Sequence, residues 1–498
     1  MSENSHTGTG SAPVEHVLST GEKAQRINNN PAFYGVFSEI GAGQEVARSF
    51  FRAGRASAKI AKTMSAYDKE VSDSIYGVEE SKRYVCESRL RKMLDREFTL
   101  VRERLTKVRD SKTQFFAFAD TVTCSRRVHQ DTDAGHGWLG VQFQDYPGDE
   151  PSELVMHVRL LDMHSLEQQE AVGVLGVNLL YGCFHHSNDP GKILKSMSDG
   201  LRSDRFEIDM VRFSGPAFKK VDNRLMSLYL VEFGLTNAVL FSPQGEALQP
   251  SDVLYGKNLL VQRGRFRPVT LVHLDMLEAA KKQFLQEPGV NQDNLLVFME
   301  VTMNNFMKEG RVDAVDFLSR IDLLSLMGHH VLISNYLEYH RLSEFFGKYT
   351  KGKVGVVMGV GHLPKIFDQK FYENVSGGML EALGKLFRKN VTALIYPAFT
   401  LEGCEPQDAT KKGAKLYQAK DFKSAENLHH LFLHLMANHC IADLKGADER
   451  LLVLNSDKVL ELLQSGIPGW ESHVPTQVAE LIAKRGLFGY RTPYQKVG

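Results

Sequence analysis

The sequence predicts an α/β fold: a doubly wound parallel or mixed sheet with an N-terminal helical arm and a C-terminal helical segment. Two observations carry this. Between Asn294 and Phe399, short apolar segments alternate with helical ones. The segments at 295–300, 331–335, 354–359 and 391–396 are rich in β-branched residues and almost free of charge, the pattern of strands covered on both faces. Their carboxyl ends carry Glu300, Asn335, Gly359, Gly361, His362 and Tyr396. Open parallel sheets take ligands at that edge. A β/α barrel is the alternative, because the strand–helix units from 154 to 396 approach the number in that fold.

Further strands are predicted around 115–119, 138–143, 154–161, 206–213, 237–241, 259–261 and 269–272, with helices at 166–184, 222–233 and 275–285. Upstream, residues 31–112 read as mostly helical, with one helix from Gln44 to about Tyr67 and another from Glu79 to Arg109. The second carries Leu90, Leu94, Phe98 and Val101 along a narrow stripe amid charges, which suits either an assembly contact or packing on its own domain. Residues 1–30, rich in Ser, Thr, Gly and Asn, read as a disordered tail and as neither signal peptide nor anchor. The α/β body is expected over 113–400, a loop or linker over 401–420, and helices over 421–498, one of them from Ser424 to about Ala442.

Lys plus Arg and Asp plus Glu number 60 each in the 498 residues, so the formal net charge is zero. No global positive field draws the chain to nucleic acid, while near-neutrality permits self-association; a homo-oligomer is expected. No apolar run approaches the ~18 residues of a membrane span, so membrane insertion is not expected. The five cysteines are scattered with no C-x-x-C pair, which fits a reducing cytoplasm and argues against a disulfide framework.

Five segments bear on candidate chemistry. Gly359-Val-Gly361-His362 follows a buried strand, and its glycines allow close backbone approach with His362 facing a ligand. The polar loop 120–136 offers Arg126 and Arg127 for an anion, and Asp120 with His136 for acid–base work if they meet. The strand 206–213 ends in Arg212, Ser214 and Gly215; by strand parity Asp209 and Arg212 face opposite sides. Gly41-Ala-Gly43 could favour a phosphate, but the following residues read as helical rather than as the strand of a dinucleotide fold. His430 and His434 share a helix face without a convincing third ligand, so no metal is expected. No motif specifies a cofactor, and the nucleophile-elbow, P-loop and kinase signatures are absent.

Segments across nearly the whole chain resemble an uncharacterised family of bacterial proteins of about this length. They include 37–47, Lys62-Thr-Met-Ser-Ala-Tyr-Asp68, Gly135-His-Gly-Trp-Leu-Gly140, Phe213-Ser-Gly-Pro-Ala-Phe218, 331–336 and Arg485-Gly-Leu-Phe-Gly-Tyr490. Members of that family are sometimes labelled nicotinate-nucleotide adenylyltransferase or TonB-dependent receptor. The residues support neither label. The H-x-G-H and S-S-T-x-x-R motifs of such transferases are missing, as is the long series of alternating strands that a receptor barrel needs. The resemblance implies no catalytic residues.

Two functions remain. One is binding or transforming a small anionic or nucleotide-like ligand near Gly361, His362, Asn335 and Arg212. The other is a self-assembling scaffold without catalysis. The four-residue site requires the strand ends bearing Arg212 and His362 to share one sheet edge; otherwise the scaffold reading takes over.

Overall fold

The computed structural model describes residues 17–125, 135–388, 390–400 and 415–492. The α/β class holds, as two open sheets layered by helices, and the described residues form no closed barrel. The first sheet contains β1 (Phe33–Gly41), β2 (Ile60–Ser65), β3 (Gln114–Thr123), β4 (Gly135–Phe143), β5 (Ser152–Leu160) and β6 (Phe206–Ser214), in the order β2-β1-β3-β4-β5-β6. Strands β2, β1 and β3 run parallel, and the pairs from β3 to β6 are antiparallel. Helices α1 (Thr20–Asn29), α2 (Glu45–Ala53), α5 (Ser165–His185), α6 (Pro190–Lys195) and α7 (Asn223–Glu232) cover one face, around Phe37, Phe118, Val141 and Met156. Helices α3 (Lys69–Tyr76) and α4 (Glu87–Leu105) cover the other.

The second sheet starts with the hairpin β7 (Ala238–Phe241) and β8 (Ala247–Leu248) and continues with β9 (Asn258–Arg263) and β10 (Leu295–Thr302). A two-residue ribbon, β11 (Met307–Lys308) and β12 (Arg311–Val312), stands apart. Next come β13 (His330–Ser334), β14 (Val354–Gly359) and β15 (Val391–Tyr396); β16 (Ala398–Thr400) pairs with β17 (Lys415–Tyr417), and β18 (Ile441–Asp443) closes the sheet. The order is β18-β15-β14-β9-β10-β13-β7-β8, and the six strands from β18 to β13 are all parallel. On one face lie α8 (Pro250–Leu254), α11 (Tyr339–Tyr349), α12 (Leu363–Ile366), α13 (Gly378–Leu386) and α14 (His429–Ala437). Helices α9 (Leu271–Phe284) and α10 (Ala314–Leu326) pack on the other. The pair α15 (Ser456–Ser465) and α16 (Thr476–Arg485) buries Trp470 against Leu323 of α10. No helix among the described residues is long and apolar enough to cross a membrane.

Several elements differ from the sequence reading, each for a local reason. Thr20–Asn29 is helical although its composition is polar, because Ser19 and Glu22 form a reciprocal capping box and Ala24 and Ile27 are buried. The stretch expected as mostly helix contributes β1 and β2. Its first long helix stops at Gly54, whose φ of 81° helical L-residues do not adopt, and Ile60–Ser65 then lies parallel to β1. Val269–Val272 is not a strand: Thr270 and His273 form a capping box that starts α9. The helix read over 424–442 is α14 alone, and its last residues form β18.

Leu90, Met93, Leu94, Phe98 and Val101 of α4 are buried on the first sheet against Ala117, Ala119 and Val155. The stripe that suggested an assembly arm is spent inside the chain. Across the sheet, α2 crosses α5 closely because α5 carries Gly176: a Cβ there would lie 2.5 Å from the Val46 side chain. Gly176→Val is therefore expected to cost about 1–3 kcal/mol by overpacking, read as a lower urea midpoint. Gly191→Ala, whose new methyl would meet nothing closer than 3.6 Å, is expected to leave the midpoint within error.

Candidate functional site

Because the central strands of the second sheet are parallel, their carboxyl ends share one edge. Alternation puts Val261, Phe298 and Leu332 in the α11-side core. Two residues further along each strand, Arg263, Glu300 and Ser334 face the same side at the edge. Arg263 grips the fully buried Glu300 through Nε to Oε2 at 2.5 Å and Nη2 to Oε1 at 3.2 Å, and the Ser334 hydroxyl donates to Oε1 at 2.6 Å. Two of the three remaining guanidinium hydrogens donate to the Tyr336 and Leu337 carbonyls, both at 2.9 Å. One fork thus pins the loop that leads into α11.

The first residue of α11 is Tyr339. Its ring lies under the Arg263 guanidinium, 4.5 Å from the centroid, and its hydroxyl is 3.3 Å from His362 Nδ1. Burial, against the pull of Arg263, pushes the Tyr339 phenol up to about 12, so it keeps its proton at pH 7. When that hydroxyl donates to His362 Nδ1, the imidazole proton sits on Nε2. Burial, with Lys365 and Arg263 nearby, lowers His362 to about 4, so the ring is neutral at pH 7 and still presents an N–H.

Gly359 and Gly361 flank this ring. Neither has a positive φ, and a Cβ built on either would meet nothing within 4 Å. The chain's own geometry and packing therefore do not require glycine at these positions, which leave open space beside His362. Asn335 is exposed at the same edge.

Of the predicted site residues, Gly359, Gly361 and His362 share the turn after β14, and Asn335 lies on the same edge but after β13, with β9 and β10 between. Arg212, Ser214 and Gly215 do not join them, because β6 is the edge strand of the first sheet. Arg212 instead pairs with Glu87 at 3.1 Å. Gly215, at φ 91°, fills a turn in which a Cβ would lie 2.6 Å from Ser152 Cα. The four-residue site with Arg212 does not exist. Arg212 lines a different cleft of about 600 Å³, shared with Lys219, Asn223, Arg224 and Gln244.

Asp120 and His136 do not meet. Asp120 shares the face of Phe118, toward α2 and α5, whereas His136 shares that of Trp138, toward α4. Asp120 stands in register with Glu39 on β1; both are buried, and burial raises both carboxyls. Glu39 escaped the sequence analysis because nothing local marks a strand residue as adjacent to Asp120. Arg126 and Arg127 lie outside the described residues. Asp209 and Arg212 share a face against parity, because the β5–β6 register shifts between His157 and Val158 and leaves Asp209 as the extra residue. His434 lies beside Asn438, and no group of three metal-ligating side chains occurs among the described residues.

Two outcomes follow from the edge. Glu300→Ala strands a buried guanidinium and is expected to cost about 3–5 kcal/mol in urea unfolding. The double variant Arg263→Met with Glu300→Ala is expected to cost less than the sum of the single changes. For His362, the folded value of about 4 lies below its ordinary 6.5, so the unfolded chain binds the extra proton. Its contribution to stability is complete above the unfolded value and is lost as pH falls through 4. An NMR titration is expected to place the His362 midpoint near 4, and His362→Gln to lessen the acid loss of stability.

No protein-family model matches the sequence, and no curated protein matches it. Solved structures of the competence-damaged protein (CinA) superfamily match part of the chain. The protein from Klebsiella pneumoniae 700603 is 15% identical at TM-score 0.26, covering 34% of this chain and 99% of that one. The competence/damage-inducible protein of Agrobacterium tumefaciens is 15% identical at TM-score 0.24, covering 32% and 93%. The superfamily protein of Enterobacter cloacae is 12% identical at TM-score 0.26, covering 36% and 99%.

Proposed function

We propose that this protein binds a small anionic ligand at the carboxyl edge of the second sheet, with a ligand oxygen accepting from His362 Nε2–H. The observation that carries the reading is a neutral imidazole in hydrogen-bond contact with Tyr339, beside two glycines that leave open space. A neutral donor suits an oxygen that carries or develops negative charge, because it polarises without giving up its proton. Arg263 and Lys365 add positive potential, although Arg263 is already engaged by Glu300. Helix α12, which follows the turn, is only four residues long, so a helix dipole contributes little.

Loss of Arg212 meets the condition set for the scaffold reading, but the edge retains Gly359, Gly361 and His362, and the scaffold reading has lost one of its own supports. The scaffold reading drew on zero net charge, the helical arm and the lack of a recognisable catalytic constellation, and of these the arm's apolar stripe, on α4, is already buried. The test is mass spectrometry of small molecules retained by the intact protein, followed by titration calorimetry with the species found. His362→Ala and Gly361→Val are each expected to weaken binding about tenfold or more, the equivalent of ~1.4 kcal/mol. Arg212→Ala is expected to leave affinity unchanged. A ligand whose affinity depends on Arg212 and ignores His362 would overturn the proposal.

A further inference from the structure

We infer that Asp209, His157 and His136 form a second, separate site, a hydrogen-bonded relay whose outer nitrogen, His136 Nε2, is a base for the hydroxyl of a small ligand or a water. The three residues lie on adjacent antiparallel strands β6, β5 and β4 of the first sheet, on the face toward α4. Asp209 Oδ1 is 2.6 Å from His157 Nδ1, and His157 Nε2 is 3.2 Å from His136 Nδ1. Asp209 and His157 are 3% and 2% exposed, and the second oxygen of Asp209 has no hydrogen-bond partner.

The order of donors follows from the ends of the chain. A carboxylate only accepts, so His157 donates from Nδ1 and its Nε2 holds a lone pair. His136 then donates from Nδ1, which leaves its own Nε2 with the lone pair. That nitrogen has no partner among the described residues, and His136 is only half-buried. The directions run inward, so a proton taken by His136 is compensated through His157 by the Asp209 charge.

The fold makes this arrangement at a cost. Asp209 reaches His157 only because the strand register slips at His157/Val158, and such irregularities re-aim side chains. The Trp138 ring lies 4.9 Å from the His157 ring and walls it. Burial, then His157, Arg159 and Arg83, lower His136 to about 4 against the pull of Asp209, so its imidazole is neutral at pH 7 and its basicity depends on the Asp209 charge. Gln249, at the start of α8, also approaches His157 Nδ1, at 3.4 Å. The relay therefore sits at the seam between the two sheets, on a different sheet from His362.

In the reaction step the O–H bond of the ligand breaks and an N–H bond forms at His136 Nε2, while the electron pair stays on the oxygen. Long-range proton–nitrogen NMR of the full chain labelled with ¹⁵N-histidine tests the arrangement. The expected result is a His136 with protonated Nδ1 and bare Nε2. A proton on Nε2, or rapid exchange between both forms, overturns the proposal whether or not any variant folds. The second measurement is carbethoxylation by diethyl pyrocarbonate, mapped by mass spectrometry. Asp209→Asn is expected to slow modification of His136 about three- to tenfold by lowering its basicity, with His430 as an internal reference. Equal rates in a folded variant would leave only a packing role and overturn the proposal.

Discussion

The buried fork between Arg263 and Glu300 is the constraint from which the second sheet's edge is built. Glu300 is wholly removed from water on β10, and only a bidentate partner with further hydrogen bonds makes such burial tolerable. Arg263 supplies that pairing from β9 and has two carbonyl acceptors left over, in Tyr336 and Leu337. Satisfying the ion pair therefore fixes the loop after β13, the start of α11 and the place of Tyr339. Through Tyr339 it also places a hydroxyl against Nδ1 of His362.

Helix α11 connects this edge to the first sheet. Tyr339 begins the helix beside His362, and Tyr349 ends it with its hydroxyl 3.3 Å from Arg159 Nη1. Arg159 also pairs with Glu207, and it adds to the potential at His136. The seam between the sheets is thus polar and built of specific pairs: Arg159 with Tyr349 and Arg83 with Asp252. Polar seams of this kind fix relative orientation only when their members are satisfied, since an unpaired buried group costs more than a pair returns.

Some of the site could be read from the chain alone. Strand segments such as Val354–Gly359 are apolar on both faces, and that periodicity survives any tertiary arrangement. His362 directly follows the strand that ends at Gly359, so its place at the carboxyl edge was legible, as was that of Asn335. Arg263 was not, because an arginine at a strand end looks the same whether it faces solvent or a buried carboxylate. Tyr339 was missed because only the folded loop brings a helix start beside a turn more than 20 residues later.

The sequence by itself determined the α/β class, most of the strands, and the strand-end glycines with His362, since these follow from local periodicity and composition. Tertiary structure alone decided that there are two sheets rather than one. Strand partners are chosen by long-range burial, and β6 and β7 lie close in sequence yet join different sheets. That choice separates Arg212 from His362. It turns Asp120 and His136 to opposite faces and, by a one-residue slip of register, aims Asp209 at His157. A residue's chemistry is written in the chain, but the face and neighbour it meets depend on a pairing whose register no local pattern encodes.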